Sequence, residues 1–512
     1  MTRRLLPVAL LLLAACRTGG RPSTAPAPVT STRAMVQQTV DSVLRAPMWR
    51  NARWGILIVD PATGDTLVSH DADRLFMPAS NQKLLTGAIA LNRLGPDYRW
   101  RTPILLQGTQ TGAVFRGRVL VQGSGDPSVS DAMRGGRAAS AFDPIVQALR
   151  ARGITQVVGS VEPFGDAMPG LTTGYGWAWD DFDAGYSAAI DELLYNEGEL
   201  YLRVRAGAKS GDAVTVERAP TRGYPPVRVD ARTVAKAAPG NGTARPPRVQ
   251  ASYDSIGHTV IVSGALAIGD SARLTIAYRH PNDAFMAALH ETLADAGVQV
   301  TATALTAVDT ATRRLDTLVV LESPRLADVL KRMEKPSQNQ MAELFFRTTA
   351  LATTGSGSTD SAQAVGARTL AEWGIDAQDI AYRDGSGLSR HDYVTPRAVV
   401  KVLEAMRTSP HAAVFRESLP IAGVDGTIGS RMRGTPAQGN ARAKTGTLDK
   451  TRSLSGYVTT ADGRTVLFSL LCNNFTVPNR EVERVQDLLV AMLASRPLGG
   501  GEAIGARASG SR

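Results

Sequence analysis

The sequence predicts an α/β (α+β) protein whose core is an antiparallel sheet with helices on its faces, interrupted by inserted β-rich domains. Three observations predict it. Apolar residues recur at helical spacing near both ends of the chain, as in Met35, Val36, Val40, Val43 and Leu44, and again in Val482, Val485, Leu488, Leu489 and Met492. Strand-like runs flanking turn signals lie beside those helices. The stretch from about Leu105 to Asp316 is dense in further strand-like runs and sparse in helical ones. At 512 residues the chain is too long for one small domain and suggests two to four.

The elements follow in order. Arg3 and Arg4 precede an apolar run, Leu5 to Leu13, too short to stay as a transmembrane helix, so 1–15 reads as a signal peptide. Leu13-Ala14-Ala15-Cys16 resembles the lipobox of bacterial lipoproteins, which implies lipidation of Cys16; an ordinary signal peptide with a chance cysteine is the alternative. Residues 16–33, with Pro22, Pro26, Pro28, Gly19 and Gly20, read as a flexible tether. Gly55–Asp60 and Thr66–Ser69 flank Pro61-Ala62-Thr63-Gly64 and predict a hairpin. Leu84, Leu85, Ala88, Ile89 and Leu91 predict a helix from Ser80 that stops at Leu94-Gly95-Pro96. Strands are expected at Arg118–Gln122, Gly153–Glu162, Glu199–Arg205, Ala213–Glu217, Thr259–Ser263 and Arg273–Tyr278, with a helix over Pro281–Ala296. Leu326, Val329, Leu330 and Met333 predict a helix ending near Lys335-Pro336, and Met341, Leu344 and Phe345 start another. Ser453–Thr459 and Thr465–Cys472 flank Ala461-Asp462-Gly463 and predict a second hairpin. Residues 496–512, rich in Gly, Ala and Ser, read as a disordered tail.

Composition excludes several classes. The chain is 43% hydrophobic and 20% charged, ordinary for a globular protein. Its net charge of +10 comes with no aromatic-basic interleaving and no nucleic-acid motif, so no nucleic-acid partner is expected. Cys472 lies in an apolar strand and reads as a buried thiol, which leaves no structural disulfide despite export. The histidines at 70, 258, 280, 290, 391 and 411 form no ligand pattern with cysteine or carboxylate, so no metal and no cofactor are expected.

Three short motifs carry the chemistry: Ser80-Asn81-Gln82-Lys83, Ser337-Gln338-Asn339 and Lys444-Thr445-Gly446. Only one of the eight lysines, Lys83, has a serine three positions earlier, and the other two motifs also occur once each. Ser80 and Lys83 fall on one face of the first helical turn. That turn supplies unpaired N–H groups and partial positive charge where an oxyanion would form. A serine hydroxyl needs a base to take its proton. A free lysine, with pKa about 10.4, is neutral in roughly one molecule per few thousand at pH 7, and burial beside a second cation favours the neutral form. Lys444 could be that cation. Ser337 and Asn339 sit in a short interhelical turn, where the plain reading of Ser337 is a helix N-cap. Lys444 to Thr447 should lie on or beside an antiparallel strand, where Gly446 lets a substrate backbone approach and the lysine and threonine groups can hold a carboxylate.

These motifs in this order are the signature of active-site serine penicillin-binding proteins and serine β-lactamases. From about Ala34 to Arg496 the chain resembles the class C low-molecular-mass penicillin-binding proteins, the D-alanyl-D-alanine carboxypeptidase/endopeptidase family. The resemblance extends to Gly123-Ser124-Gly125-Asp126-Pro127, Trp177-Ala178-Trp179-Asp180-Asp181, Asp384-Gly385-Ser386-Gly387-Leu388-Ser389-Arg390 and Asp425-Gly426-Thr427. It implies a penicillin-recognising transpeptidase/β-lactamase-like domain over 34–104 and 317–495. A second domain is inserted over 105–170 and 266–316, and a third is nested at 171–265. It further implies that Ser80 attacks the carbonyl of the penultimate D-alanine and Lys83 takes its proton. Ser337 would relay a proton to the leaving amine, and Asn339 would hold the peptide and orient Lys83. Lys444, Thr445 and Thr447 would bind the substrate carboxylate, with Gly446 between them, and backbone N–H groups of Ser80 and Thr447 would form the oxyanion hole. The implied partners are peptidoglycan peptides, β-lactam antibiotics and a membrane reached through the N-terminal lipid, on the periplasmic face. One departure is Gln338, where the family usually has aspartate; modified rather than lost activity is expected. A β-lactamase or esterase using the same serine, and a non-catalytic penicillin-binding lipoprotein, are the other readings. The long insertion argues against the first and the intact motifs against the second.

Overall fold

The computed structural model describes residues 32–236, 248–254, 256–303 and 314–498. The expected signal peptide, Cys16, most of the tether and 499–512 of the expected tail lie outside the described residues.

The chain begins with α1 (Thr32–Arg45), which buries Val36 and Val40, and the hairpin β1 (Arg53–Asp60) and β2 (Asp65–His70). A single 3₁₀ turn, Ala79–Asn81, then leads into α2 (Gln82–Leu94). The chain leaves through β3 (Arg101–Thr111) and β4 (Val114–Gln122), then α3 (Asp143–Ala151) and β5 (Gln156–Phe164). Seven strands follow: β6 (Glu199–Arg205), β7 (Thr215–Ala219), β8 (Val227–Val229), β9 (Arg232–Val234), β10 (Val249–Tyr253), β11 (Val260–Ala267) and β12 (Ser271–Ala277). The excursion closes with α4 (Pro281–Asp295), β13 (Gln299–Ala302) and β14 (Asp316–Glu322). The return carries α5 (Leu326–Glu334), α6 (Asn339–Thr354) and α7 (Thr359–Glu372), the short pair β15 (Ile380–Ala381) and β16 (Tyr393–Val394), then α8 (Pro396–Thr408) and α9 (Ala412–Ser418). It ends with β17 (Arg442–Leu448), β18 (Thr451–Thr459), β19 (Thr465–Asn473) and α10 (Asn479–Ala494).

The two ends of the chain build one antiparallel sheet in the order β17-β18-β19-β1-β2. Successive side chains of a strand point to opposite faces, and β1 uses both. Ile56 and Ile58 enter a core with α1 and α10, while Leu57 enters the other core with α2, α5, α6 and α8. A sheet covered on both faces explains why β18 and β19 are buried almost without a break and why β19 reads as a near-continuous apolar run. Cys472 is fully buried on β19 as a free thiol.

The excursion forms a second five-stranded sheet, β13-β5-β4-β3-β14, covered by α3 and α4 around Phe142, Ile145, Phe285 and Leu289. Within it lie two smaller sheets, β12-β6-β7 and β10-β11-β8, the latter with β9 also on β11.

Three expected boundaries cut through strands. The 104/105 boundary falls inside β3, and 316/317 falls inside β14, which pairs with β3 over Arg101–Leu106. The 265/266 boundary falls inside β11, and β12 beyond it pairs along the whole of β6. A ladder of backbone hydrogen bonds holds its strands in one sheet, so β12 stays with β6, and β14 with β3. The expected strand Gly153–Glu162 begins at Gln156, because Gly153 and Ile154 close the end of α3 through hydrogen bonds to Arg150 and Leu149. β3 itself had no sequence prediction: its apolar Ile104-Leu105-Leu106 runs into the polar Gln107–Thr111 without alternation. No helix among the described residues is long and apolar enough to cross a membrane.

Candidate active site

The three motifs meet where α2, the α5–α6 turn and the edge strand β17 converge. Ser80 lies in the 3₁₀ turn that starts α2, so Ser80 and Lys83 share the first turn as their spacing requires. The backbone here is held in costly conformations. Ala79 has φ 48° and Ser337 φ 69°. Left-handed backbone costs an L-residue roughly 1–2 kcal/mol, which surrounding contacts must offset.

Those contacts are specific. Asn81 donates to the Lys444 carbonyl at 2.8 Å, and Ser453 donates to the Pro78 carbonyl at 2.7 Å, which fasten the nucleophile segment to β17 and β18. Asn473 accepts from the Met77 N–H at 2.8 Å, adding β19. Gly446 faces this junction. A Cβ there would fall 2.1 Å from Ser453 Oγ, 2.4 Å from the Pro78 carbonyl oxygen and 3.0 Å from Ser80 N. Only glycine lets the strand run this close to Ser80.

Lys83 is fully buried. Its Nζ lies 2.9 Å from Ser80 Oγ, 2.7 Å from Asn339 Oδ1 and 2.8 Å from the Ser386 carbonyl oxygen. Two of these partners accept only. A neutral amine has two N–H groups for those two oxygens and one lone pair left for the serine hydroxyl. Burial, then the positive charge of Lys444, pushes the Lys83 pKa down to about 7 against the opposing pull of Glu334, Asp384 and Glu343. Lys444, also fully buried, donates to Ser337 Oγ at 2.8 Å and to the Thr445 carbonyl at 3.1 Å. Burial lowers its pKa too, and Glu334 opposes that.

Ser386, quoted within the 384–390 stretch of the family resemblance but given no role there, belongs to a loop held by buried carboxylates. Glu343 accepts from the N–H groups of Gly385 and Ser386 at 3.1 and 2.8 Å. Asp384 accepts from Gly387, Ser389 and the Trp177 indole at 2.6, 2.7 and 2.9 Å. Two of the stretches quoted for the family resemblance therefore touch each other. The loop also abuts the nucleophile: Gly387, at φ 78°, leaves no room for a Cβ, which would fall 1.9 Å from the Ala79 carbonyl oxygen.

Asn339, the first residue of α6, also donates to the Tyr186 carbonyl at 2.7 Å. Gln338, rather than Ser337, caps α6: its Oε1 accepts from Met341 N at 2.9 Å, and its Nε2 donates to Gln340 at 2.7 Å. Thr445 donates to Thr427 of the Asp425-Gly426-Thr427 stretch at 2.7 Å, and Thr447 is exposed at the mouth. Ser80, Ser337, Asn339 and Thr447 line one cleft of about 480 Å³, joined by Asp181, Tyr186 and Arg390. No group of three or more metal-ligating side chains occurs among the described residues.

Residues 36–496 match the D-Ala-D-Ala carboxypeptidase 3 (S13) family. This chain belongs to that family. It is a serine-type hydrolase. A D-alanyl-D-alanine carboxypeptidase of Actinomadura sp. (strain R39) is 30% identical to it over 476 residues, covering 90% of this chain and 84% of the relative. The D-alanyl-D-alanine carboxypeptidase DacB of Haemophilus influenzae is 25% identical over 423 residues, covering 81% and 84%. The crystal structure of penicillin binding protein 4 (dacB) from Haemophilus influenzae shares the fold, with a TM-score of 0.74 at 23% identity over 88% of this chain and 98% of that one.

The contact at Gly446 yields a prediction for this S13 chain. Gly446→Ala must displace Ser453, the Pro78 carbonyl or Ser80 itself. A shift of about 1 Å at reacting atoms costs on the order of 10²-fold. Stopped-flow acylation by a chromogenic cephalosporin should show that loss at temperatures where circular dichroism shows the variant still folded, its stability lowered by the roughly 1–3 kcal/mol that overpacking costs. Wild-type kinetics would show that the strand does not set the position of Ser80.

Proposed function

We propose that this chain is a D-alanyl-D-alanine carboxypeptidase and endopeptidase that hydrolyses peptidoglycan stem peptides and D-Ala crosslinks through an acyl-enzyme on Ser80, and that β-lactams acylate the same serine. The observation that supports it most is the Lys83 amine, buried, engaged by two acceptor oxygens and 2.9 Å from Ser80 Oγ.

The steps balance in atoms and protons. Ser80 Oγ bonds to the carbonyl carbon of the penultimate D-alanine while its proton passes to the lone pair of Lys83. The oxyanion is held by the backbone N–H groups of Ser80 and Thr447. The C–N bond then breaks as Ser337 passes its proton to the departing nitrogen and takes in its place the proton that Lys83 carries, which leaves Lys83 neutral; the Lys444 ammonium, 2.8 Å from Ser337 Oγ, stabilises the hydroxyl during the exchange. Lys444, Thr445 and Thr447 hold the carboxylate of the leaving residue. Water, deprotonated by Lys83, bonds to the ester carbon, the C–O bond to Ser80 breaks, and Lys83 returns the proton to Ser80 Oγ. The leaving group is D-alanine in the carboxypeptidase reaction and a crosslinked D-centre in the endopeptidase reaction. Both carry one carboxylate beside the scissile bond, so one anchor serves both.

Incubation with pentapeptide and crosslinked muropeptides, followed by mass spectrometry, should show loss of terminal D-alanine and cleavage of dimers. Ser80→Ala should abolish both activities and all covalent labelling by a fluorescent penicillin. Label retained on that variant would overturn the assignment of the nucleophile.

We also propose that the enzyme is exported and anchored by a lipid on Cys16, tethered through the residues up to 33. The support is the charged and apolar N-terminal pattern with cysteine at the end of Leu13-Ala14-Ala15-Cys16. Cys16→Ala should move the protein from the membrane fraction to the soluble one. A mature N-terminus downstream of Cys16, without lipid, would contradict it.

A further inference from the structure

We propose that Glu334 is the buried counter-charge shared by the two active-site lysines, and that it sets how tightly each holds its proton. The inference rests on the roles given above to Lys83 and Lys444.

Glu334 is the last residue of α5, one turn before Ser337. It is fully buried, and neither carboxylate oxygen has a hydrogen-bond partner among the described residues. Such a group has no evident structural duty, since a hydrogen-bonded or apolar side chain would serve packing better. Its location is particular. Lys83 and Gly87 are four apart on α2 and share a face. A Cβ added at Gly87 would fall 3.0 Å from Glu334 Oε1, so the glycine leaves the space in which the carboxylate lies, one helical turn from Lys83. Burial pushes the Glu334 pKa up to about 7, and the charges of Lys444 and Lys83 oppose that rise.

Other charged groups nearby have their own partners. On α5, Lys331 pairs with Glu417 at 3.4 Å, Arg332 with Glu197 at 2.8 Å and Lys335 with Asp425 at 2.6 Å. On α9, Arg416 and Glu417 are exposed. From α6 and the following loop, Glu343 and Asp384 act on Lys83 while holding backbone N–H groups. Glu334 is thus the acid that acts on both lysines and makes no hydrogen bond of its own.

The test is the pH profile of penicillin acylation for wild type and Glu334→Gln. Acylation needs neutral Lys83 and cationic Lys444, so the rate rises as Lys83 loses its proton and falls as Lys444 does. Removing the negative charge disfavours the cationic form of both. Both limbs should therefore move to lower pH, each by about one unit, while Glu334→Asp should keep the wild-type limbs. Limbs that stay in place, with a rate lowered equally at every pH, indicate a packing role and overturn the proposal. Should Glu334→Gln not fold, infrared difference spectra of the wild type against Glu334→Asp decide the point. A carboxylate that ionises within the active pH range supports the proposal; one that stays protonated throughout that range overturns it. Wild-type enzyme that takes no label on Ser80 would sink the underlying mechanism itself, a separate failure.

Discussion

A lysine amine held out of water, with two acceptor oxygens and one hydroxyl around it, is the arrangement on which the rest of this active site depends. Lys83 cannot be solvated, and its partners use two N–H groups and leave one lone pair facing Ser80. Each partner comes from a different part of the chain: Ser80 from α2's own first turn, Asn339 from the start of α6, and Ser386 from a loop beyond α7. The base therefore works only when all three segments are in register. That explains the buried carboxylates Glu343 and Asp384, which spend their hydrogen bonds on the backbone of one loop.

The sheet supplies the second constraint. β17 is an edge strand, so Thr447 can line the cleft, yet its inner side runs against the nucleophile segment. Asn81, Ser453 and Asn473 tie that segment to three consecutive strands. The left-handed Ala79 and Ser337 are the strained joints that such fastening makes tolerable. The inserted units reach the site through the Tyr186 carbonyl on Asn339 and the Trp177 indole on Asp384.

Much of this was legible in the sequence, for identifiable reasons. Ser80 and Lys83 are three apart on a helix whose apolar spacing is plain, so their shared face followed from geometry. The hairpins around Pro61–Gly64 and Ala461–Gly463 announced the central sheet through their turn residues. What stayed hidden was long-range or carried by backbone. The Ser386 and Tyr186 carbonyls have no side-chain signature, and the signal that could have raised Ser386 is the pair of flanking glycines. Glu334 looks like an ordinary helix-end acid until its burial is known. β3 escaped because its apolar half and polar half do not alternate, and the expected boundaries at 104, 265 and 316 fall inside strands because composition does not report which strands pair.

Burial and the Lys444 charge bring the Lys83 pKa down to about 7, so about half of the amine is neutral at pH 7 in the free enzyme. The most direct measurement is a ¹⁵N NMR titration of the lysine side chains, with Lys83 assigned by Lys83→Arg. A midpoint at about 7 is expected, set by burial and the charge of Lys444, with a rise of that midpoint in Ser386 loop variants that admit water. A Lys83 that stays cationic to the ordinary lysine range above pH 10 would contradict it.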